Sequence, residues 1–192
     1  MLAEMEAHGA RDGIPIVDPQ GGQLLQVLAL ARGARRIVEV GTAIGVSTLY
    51  MARALPSNGE LISFDIDPER QGAASEYLDR AGVGDRVDLR LQDARVGLRE
   101  LDGPFDMAFI DGVKAQYPDY YELLIELLGP GAVLAVDNVL MSGTVAEGRS
   151  DGHWSDEQIA DQRAFISKLL ADERLTTTVT PVGDGVLVAV VR

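Results

Sequence analysis

Short apolar runs recur along the chain, and most are followed by a segment with helical periodicity. The first run, 37–40, is rich in β-branched residues and predicts a buried parallel strand. From Gly45 a helical pattern begins, with Val46, Leu49 and Tyr50 on one side. Further strands are predicted at 61–64, 87–91, 105–110 and 132–136. Helices are predicted at 68–81, 96–101 and 117–128. This alternation predicts a doubly wound α/β fold with a parallel sheet.

The two ends of the chain complete the expected architecture. Residues 1–34 predict an N-terminal helical cap, with Asp18 as N-cap, Pro19 at the first helical position and Gly33 at the stop. Just before the N-cap residue Asp18, the apolar segment 14–16 either lies over a ligand or packs onto the domain. After a loop-like stretch at 141–156 and a helix at 156–171, strands are predicted at 176–180 and 186–191. The short P-V-G-D-G turn between them predicts an antiparallel hairpin, and hence a mostly parallel seven-stranded sheet in one domain, 1–192.

Each of the five parallel strands ends in an acidic residue. These residues are Glu39, Asp65, Asp93, Asp111 and Asp137. In open α/β sheets, ligands bind beyond the carboxyl ends of the strands, so we expect these side chains to converge on one crevice.

The turn after the first strand reads E-x-G-x-x-x-G, with Gly41 and Gly45 as its glycines. A dinucleotide-binding turn would read G-x-G-x-x-G, and Ala43 stands where that motif needs its close-approach glycine. The observed pattern, followed by an acidic residue at the end of the next strand, is typical of S-adenosylmethionine binding. An ordinary tight turn between a strand and a helix is the alternative for this motif alone.

Composition excludes several classes of function. The formal net charge of −13 argues against nucleic acid and against an anionic membrane surface. The chain has no cysteine, which excludes disulfides, thiolate catalysis and zinc–thiolate sites. It has no apolar run of membrane-spanning length and no signal-peptide pattern at its start, so we expect a cytoplasmic protein.

A second candidate site follows the fourth and fifth strands. Asp111, Asp137 and Asn138 supply oxygen ligands only, which suits Mg²⁺ best, with Mn²⁺ or Ca²⁺ as alternatives. Lys114 lies three residues after Asp111, and a nearby cation with partial burial would lower its pKa toward that of a general base. Tyr117 is expected to be the tyrosine nearest the cleft, and Trp154, in the 141–156 loop, to shape an acceptor pocket.

These segments resemble the cation-dependent O-methyltransferases, the family of the caffeoyl-CoA and catechol O-methyltransferases. The resemblance rests on V-E-V-G-T-A-I-G-V-S-T-L, S-F-D-I-D-P-E-R, D-G-V-K-A-Q-Y and V-D-N, and it extends from about Ile14 to the C-terminus. It implies a class I methyltransferase fold and a homodimer. It also implies Lys114 as base, Asp111, Asp137 and Asn138 as metal ligands, and Asp93 near the adenine. The S-adenosylmethionine site would comprise Glu39, Gly41, Gly45, Ser47, Asp65, Asp93, Ala94 and Asp111.

The resulting hypothesis is an enzyme that methylates a hydroxyl of a small, vicinal dihydroxy aromatic held by the cation. Two alternatives remain open: a metal-independent small-molecule methyltransferase, and a catalytically silent cofactor-binding or assembly protein. An NAD-dependent oxidoreductase is disfavoured by the missing third glycine and by the C-terminal hairpin. A hydrolase is excluded because Ser47 is not in a G-x-S-x-G elbow.

Overall fold

One mixed sheet runs through the part of the chain that the structure, a computed structural model, describes: residues 1–150 and 152–192. Within these residues it contains seven strands. In chain order they are β1 (Arg36–Val40), β2 (Glu60–Asp65), β3 (Val87–Leu91), β4 (Phe105–Ile110), β5 (Leu128–Val136), β6 (Leu175–Thr180) and β7 (Val186–Val191). Their spatial order is β3-β2-β1-β4-β5-β7-β6.

Eight α-helices accompany the sheet in the described residues. They are α1 (Leu2–Asp12), α2 (Pro19–Arg32), α3 (Val46–Ala52), α4 (Pro68–Arg80), α5 (Ala94–Gly97), α6 (Tyr117–Ile125), α7 (Thr144–Glu147) and α8 (Asp156–Ala171). As predicted, the Asp18 side chain caps α2 by accepting from the Gln20 and Gly21 amides, and Gly33 ends the helix in the left-handed conformation. None of the helices in these ranges combines the length and apolar character needed to cross a membrane.

The topology confirms the predicted fold class. Strands β1 to β5 pair in parallel, whereas β7 runs antiparallel to both β5 and β6. The order reverses at β1, which lies between β2 and β4. In such sheets the crevice beyond this switch point is where ligands bind.

Both faces of the central strands are buried, which explains their almost unbroken apolar sequences. Alternate residues of β1 point in opposite directions: Ile37 packs with Leu25 of α2, and Val38 belongs to the cluster that includes Tyr121 of α6 and Phe165 of α8. A third cluster joins α1, α3 and α4. The sheet is therefore a rigid, two-sided platform for the residues at its carboxyl edge.

The structure corrects several predicted boundaries. The helix predicted at 117–128 ends at Ile125, and β5 already begins at Leu128, so the Gly-Pro-Gly segment lies inside the strand. Pairing of Leu128 with Phe105 through a register shift overrides the local turn preference. The helix predicted at 96–101 begins earlier, at Ala94, because Asp93 caps it, and it passes into a 3-10 turn.

The 141–156 segment also differs from the prediction. The sequence predicts a loop there, whereas α7 occupies Thr144–Glu147. Asp151, which falls within that predicted loop, lies outside the described residues.

Candidate active site

The turn after β1 is held against the turn after β4 by a close backbone approach. Gly41 has φ +100, and a Cβ at this position would overlap the Asp111 carbonyl oxygen. Only glycine combines that conformation with that space. Gly45, with φ +83, begins α3 beside Ala74 of α4. Gly41 therefore lets the β1 and β4 ends meet at the switch point, and Gly45 lets α3 begin close to α4.

Glu39 is buried at the centre of a hydroxyl network beneath this turn. Its carboxylate accepts hydrogen bonds from Ser47 Oγ at 2.5 Å, Thr48 Oγ1 at 2.5 Å and Ser63 Oγ at 2.6 Å. Burial raises the pKa of Glu39 to about 7, against the lowering effect of these hydroxyls. The sequence suggested a carboxylate at the mouth of the sheet. In the structure Glu39 lies behind the cavity wall and orients Ser47, which lines the cavity.

Two further acidic residues at strand ends line the cavity. Asp65 accepts from the Ala43 amide at 2.7 Å, and its other oxygen accepts from the Ile66 and Asp67 amides. Asp93 pairs with Arg95 at 2.8 Å, and the hydrogen bond from this guanidinium lowers the pKa of Asp93. The amides fix the Asp65 carboxylate at the rim, where it can accept from ligand hydroxyls.

The cavity beyond β1 and β4 has a volume of about 440 Å³. It brings together most of the predicted cofactor residues: Gly41, Ser47, Asp65, Asp93, Ala94 and Asp111. Its volume lies in the range of small-molecule sites. The segment before α2 also contributes, because Pro15, Ile16 and Val17 line one side. This supports the covering arrangement that the sequence left open for 14–16.

The predicted metal ligands lie at the neighbouring ends of β4 and β5. Asp111 and Asn138 line the cavity, and Asp137, only 5% exposed, lies just behind them. Asp137 accepts from the Asn138 amide at 2.7 Å, and Asn138 has the left-handed φ of 56 that asparagine tolerates. Lys114 Nζ donates to Asn138 Oδ1 at 3.0 Å. The four residues thus form one polar cluster, and all of them except Asp137 line the cavity.

The electrostatics of this cluster fit a bound cation. Burial, followed by the charge of Asp137, raises the pKa of Asp111 well above its usual range, and burial raises the pKa of Asp137 to about 6. No described residue donates a hydrogen bond to the Asp111 side chain. The described residues contain no group of three or more His, Cys, Asp or Glu suited to a metal. The candidate donors are instead two carboxylates and one amide oxygen, and oxygen donors of this kind suit a hard divalent cation.

The two predicted substrate residues lie away from the cavity wall. Tyr117 is fully buried, and its hydroxyl donates to the Asp137 carbonyl at 3.2 Å. It is Tyr120 that lines the cavity, because helical spacing turns Tyr117 toward Phe165 in the core. The Trp154 ring centroid lies 5.4 Å from Lys114 Nζ, beside a second cavity.

Several residues that hold Glu39 or line the cavity belong to no motif that would identify them from the sequence. Ser63 and Thr48 form the hydroxyl network, and Arg70 and Gln116 line the cavity with Tyr120. The one available indication was a serine inside the apolar run of β2, because a buried hydroxyl needs a partner.

The same family emerges from comparison with known proteins. The O-methyltransferase family model matches residues 2–192. A catechol O-methyltransferase from Niastella koreensis is 37% identical over 194 residues, covering 95% of this chain and 86% of that protein. An O-methyltransferase from Bacillus cereus, solved with S-adenosylhomocysteine, superposes with a TM-score of 0.88 at 33% identity, covering 100% and 90% of the two chains.

TomG from Streptomyces achromogenes, an O-methyltransferase of tomaymycin synthesis solved with S-adenosylmethionine, also has a TM-score of 0.88 at 33% identity, with 99% and 88% coverage. The seven-stranded sheet of the present chain, its glycine turn at the switch point and its similarity to these relatives lead to one conclusion. The chain belongs to the O-methyltransferase family, whose members here are S-adenosylmethionine-dependent enzymes of the catechol and caffeoyl-CoA type.

Proposed function

We propose that this enzyme transfers the methyl group of S-adenosylmethionine to a hydroxyl of a small vicinal dihydroxy aromatic, with a divalent cation at Asp111, Asp137 and Asn138. One observation carries the proposal. Lys114 and two of the candidate cation ligands, Asp111 and Asn138, line the same cavity as Asp65 and Asp93. A methyl donor and an acceptor hydroxyl could therefore meet inside a single enclosure.

The chain's own residues supply positioning and proton transfer. Asp65 would accept hydrogen bonds from ribose hydroxyls, and Ser47, held by Glu39, would bind a polar group of the methionine part. Asp93 and Ala94 would border the adenine, and the 15–17 segment would shield the donor from water. These contacts would align donor and acceptor, which is the main source of rate in such transfers.

Lys114 would act as the base at the acceptor end. In the bound state S-adenosylmethionine supplies the methyl group, and the cation supplies positive charge that favours an ionised hydroxyl. Lys114 Nζ would take that proton, since it is already oriented by Asn138 at 3.0 Å. Tyr117 would hold the backbone of Asp137 in place from behind.

The acceptor class is supported by chemistry and by similarity. Two carboxylates and an amide leave a hard cation with open positions for two neighbouring hydroxyl oxygens. The relative from Niastella koreensis is named for catechol methylation. Trp154 would border the aromatic acceptor near Lys114.

The decisive experiment measures S-adenosylhomocysteine formation from catechol with Mg²⁺ and with excess EDTA. We expect product with Mg²⁺ and none with EDTA, and restoration on adding Mn²⁺. Asp111→Asn should be inactive in both conditions, and Asp85→Asn, on an exposed 3-10 turn, should match the wild type. Undiminished product in EDTA would overturn the role of the cation.

A further inference from the structure

A second cavity, of about 350 Å³, lies against Lys114, Trp154 and α8. Its wall includes Ala115 from the 3-10 turn before α6, Pro118 from the first turn of α6, Trp154, and Gln162 and Phe165 from α8. Lys114 lines both cavities. An acceptor ring held beside Lys114 would therefore have direct access to this second space.

Gln162 is the unusual member of this wall. Its side chain is buried, with 4% of its surface exposed, and its amide nitrogen has no hydrogen-bond partner among residues 1–150 and 152–192. A buried amide without a partner loses its hydration and gains nothing in return, so such groups are rare and call for an explanation. An apolar residue would fill the same helical position at no such cost.

The surroundings define what could satisfy this amide. Phe165 and Met141, both almost fully buried, are apolar neighbours in the wall. The charged residues of the wall are Lys114, Lys168 and the exposed Asp161, and Lys168 is paired with Glu122 of α6. The wall thus carries a buried N–H donor and two lysines against one aspartate, which favours an anionic hydrogen-bond acceptor over a cation.

We infer that Gln162 determines specificity by donating to a carboxylate on a short chain attached to the acceptor ring. The inference rests on the proposed function, and it adds the class of acceptor: a dihydroxyphenyl ring with a carboxylate-tipped side chain. The ring would lie beside Lys114 and beside Asp111 and Asn138, the candidate cation ligands that line the first cavity. The chain would pass Trp154, whose ring centroid is 5.4 Å from Lys114 Nζ, and reach Gln162 in the second cavity.

The test compares three acceptors with Mg²⁺ present: catechol, 4-propylcatechol and 3-(3,4-dihydroxyphenyl)propanoate. We expect wild-type kcat/KM for the carboxylate to exceed that for 4-propylcatechol by about tenfold or more, chiefly through KM, as a hydrogen bond to a charged group would give. Gln162→Leu should abolish this preference and leave catechol turnover unchanged. Gln162→Glu should reverse it, since a second carboxylate repels the first.

A matched control is available elsewhere in the chain. Gln71 of α4 is also a buried glutamine whose amide nitrogen lacks a partner among the described residues, but it lines neither cavity. Gln71→Leu should keep the wild-type preference. Calorimetric binding of the two substituted catechols to the S-adenosylhomocysteine complex should show the same pattern without turnover.

Failure of the inference is separable from failure of the proposed function. If the wild type methylates catechol but treats the propyl and propanoate compounds alike, or if Gln162→Leu keeps the preference, the inference is wrong and the proposed function stands. If the carboxylate binds preferentially through Gln162 and none of the three compounds is methylated, the binding site is supported while the proposed reaction is wrong.

Discussion

Lys114 Nζ lies 3.0 Å from Asn138 Oδ1, and this hydrogen bond joins the turn after β4 to the end of β5. The two residues are 24 positions apart in the sequence, yet parallel pairing of β4 with β5 brings them to the same edge. The contact orients the lysine amine toward the candidate cation ligands. It therefore gives Lys114 a fixed position that an exposed lysine would lack.

Replacing Lys114 by alanine should reduce kcat by about a hundredfold or more at neutral pH, the range expected for loss of a general base. The deficit should shrink as pH rises, because the acceptor hydroxyl then ionises without help. Rate–pH profiles check this, with calorimetry confirming unchanged S-adenosylmethionine affinity. An equal deficit at every pH would contradict the assignment of Lys114 as base.

Replacing Asp111 by asparagine should stabilise the cation-free protein at pH 7.5. Burial and Asp137 raise the pKa of Asp111, so its ionised form is disfavoured in the folded state. Stability therefore falls as pH rises above the ordinary carboxyl range and stays lower at neutral pH. Thermal unfolding with and without Mg²⁺ checks this: Mg²⁺ should raise the Tm of the wild type and not of the variant. If Mg²⁺ raised the Tm of the variant as much as that of the wild type, Asp111 would not be a ligand of the cation.

Glu39→Gln should flatten part of the pH dependence of stability. The pKa of Glu39 is raised from 4.5 to about 7, so the wild type loses stability as pH rises through that window, by about 3 kcal/mol for this group. Urea unfolding at pH 5 and pH 8 measures the change. Glu60→Gln is the control, because that side chain is 50% exposed. Equal pH dependence in both variants would mean that Glu39 ionises normally.

Gly41→Ala should abolish cofactor binding and cost more stability than an unfavourable φ alone. A Cβ at Gly41 meets the Asp111 carbonyl, so the β1 and β4 turns must separate. Gly33→Ala separates the two effects. Gly33 has φ +65, and no atom of the described residues lies within 4 Å of the added carbon, so this variant should lose only about 1 kcal/mol of stability. Unfolding and calorimetry on both variants check this. Normal cofactor affinity in Gly41→Ala would contradict the close-approach role.

A homodimer is expected to cover the outer face of α2, where Val27 and Leu30 are 59% and 58% exposed. Leu30→Glu should convert the dimer to a monomer, as measured by light scattering. Leu170→Glu, on α8 with 54% exposure, should leave the dimer intact. A monomeric wild type would exclude this interface.

Several features follow from sequence alone because they depend on local patterns. The apolar runs, the capping residues Asp18 and Gly33, and the short turn before β7 predicted the α/β class, the α2 boundaries and the hairpin. The acidic residues at strand ends predicted the crevice, because parallel strands present their carboxyl ends at one edge.

Only the tertiary structure decided which side chains face the ligand. In the folded chain Glu39 points inward and accepts hydrogen bonds from three hydroxyls. Tyr120, and not Tyr117, lines the cavity, and the Gly-Pro-Gly segment is part of β5. Within residues 1–150 and 152–192 the fold also leaves the Gln162 amide nitrogen without a hydrogen-bond partner, beside a second cavity. Periodicity places a residue on a face of its own element, whereas the partner across that face is set by packing between distant segments.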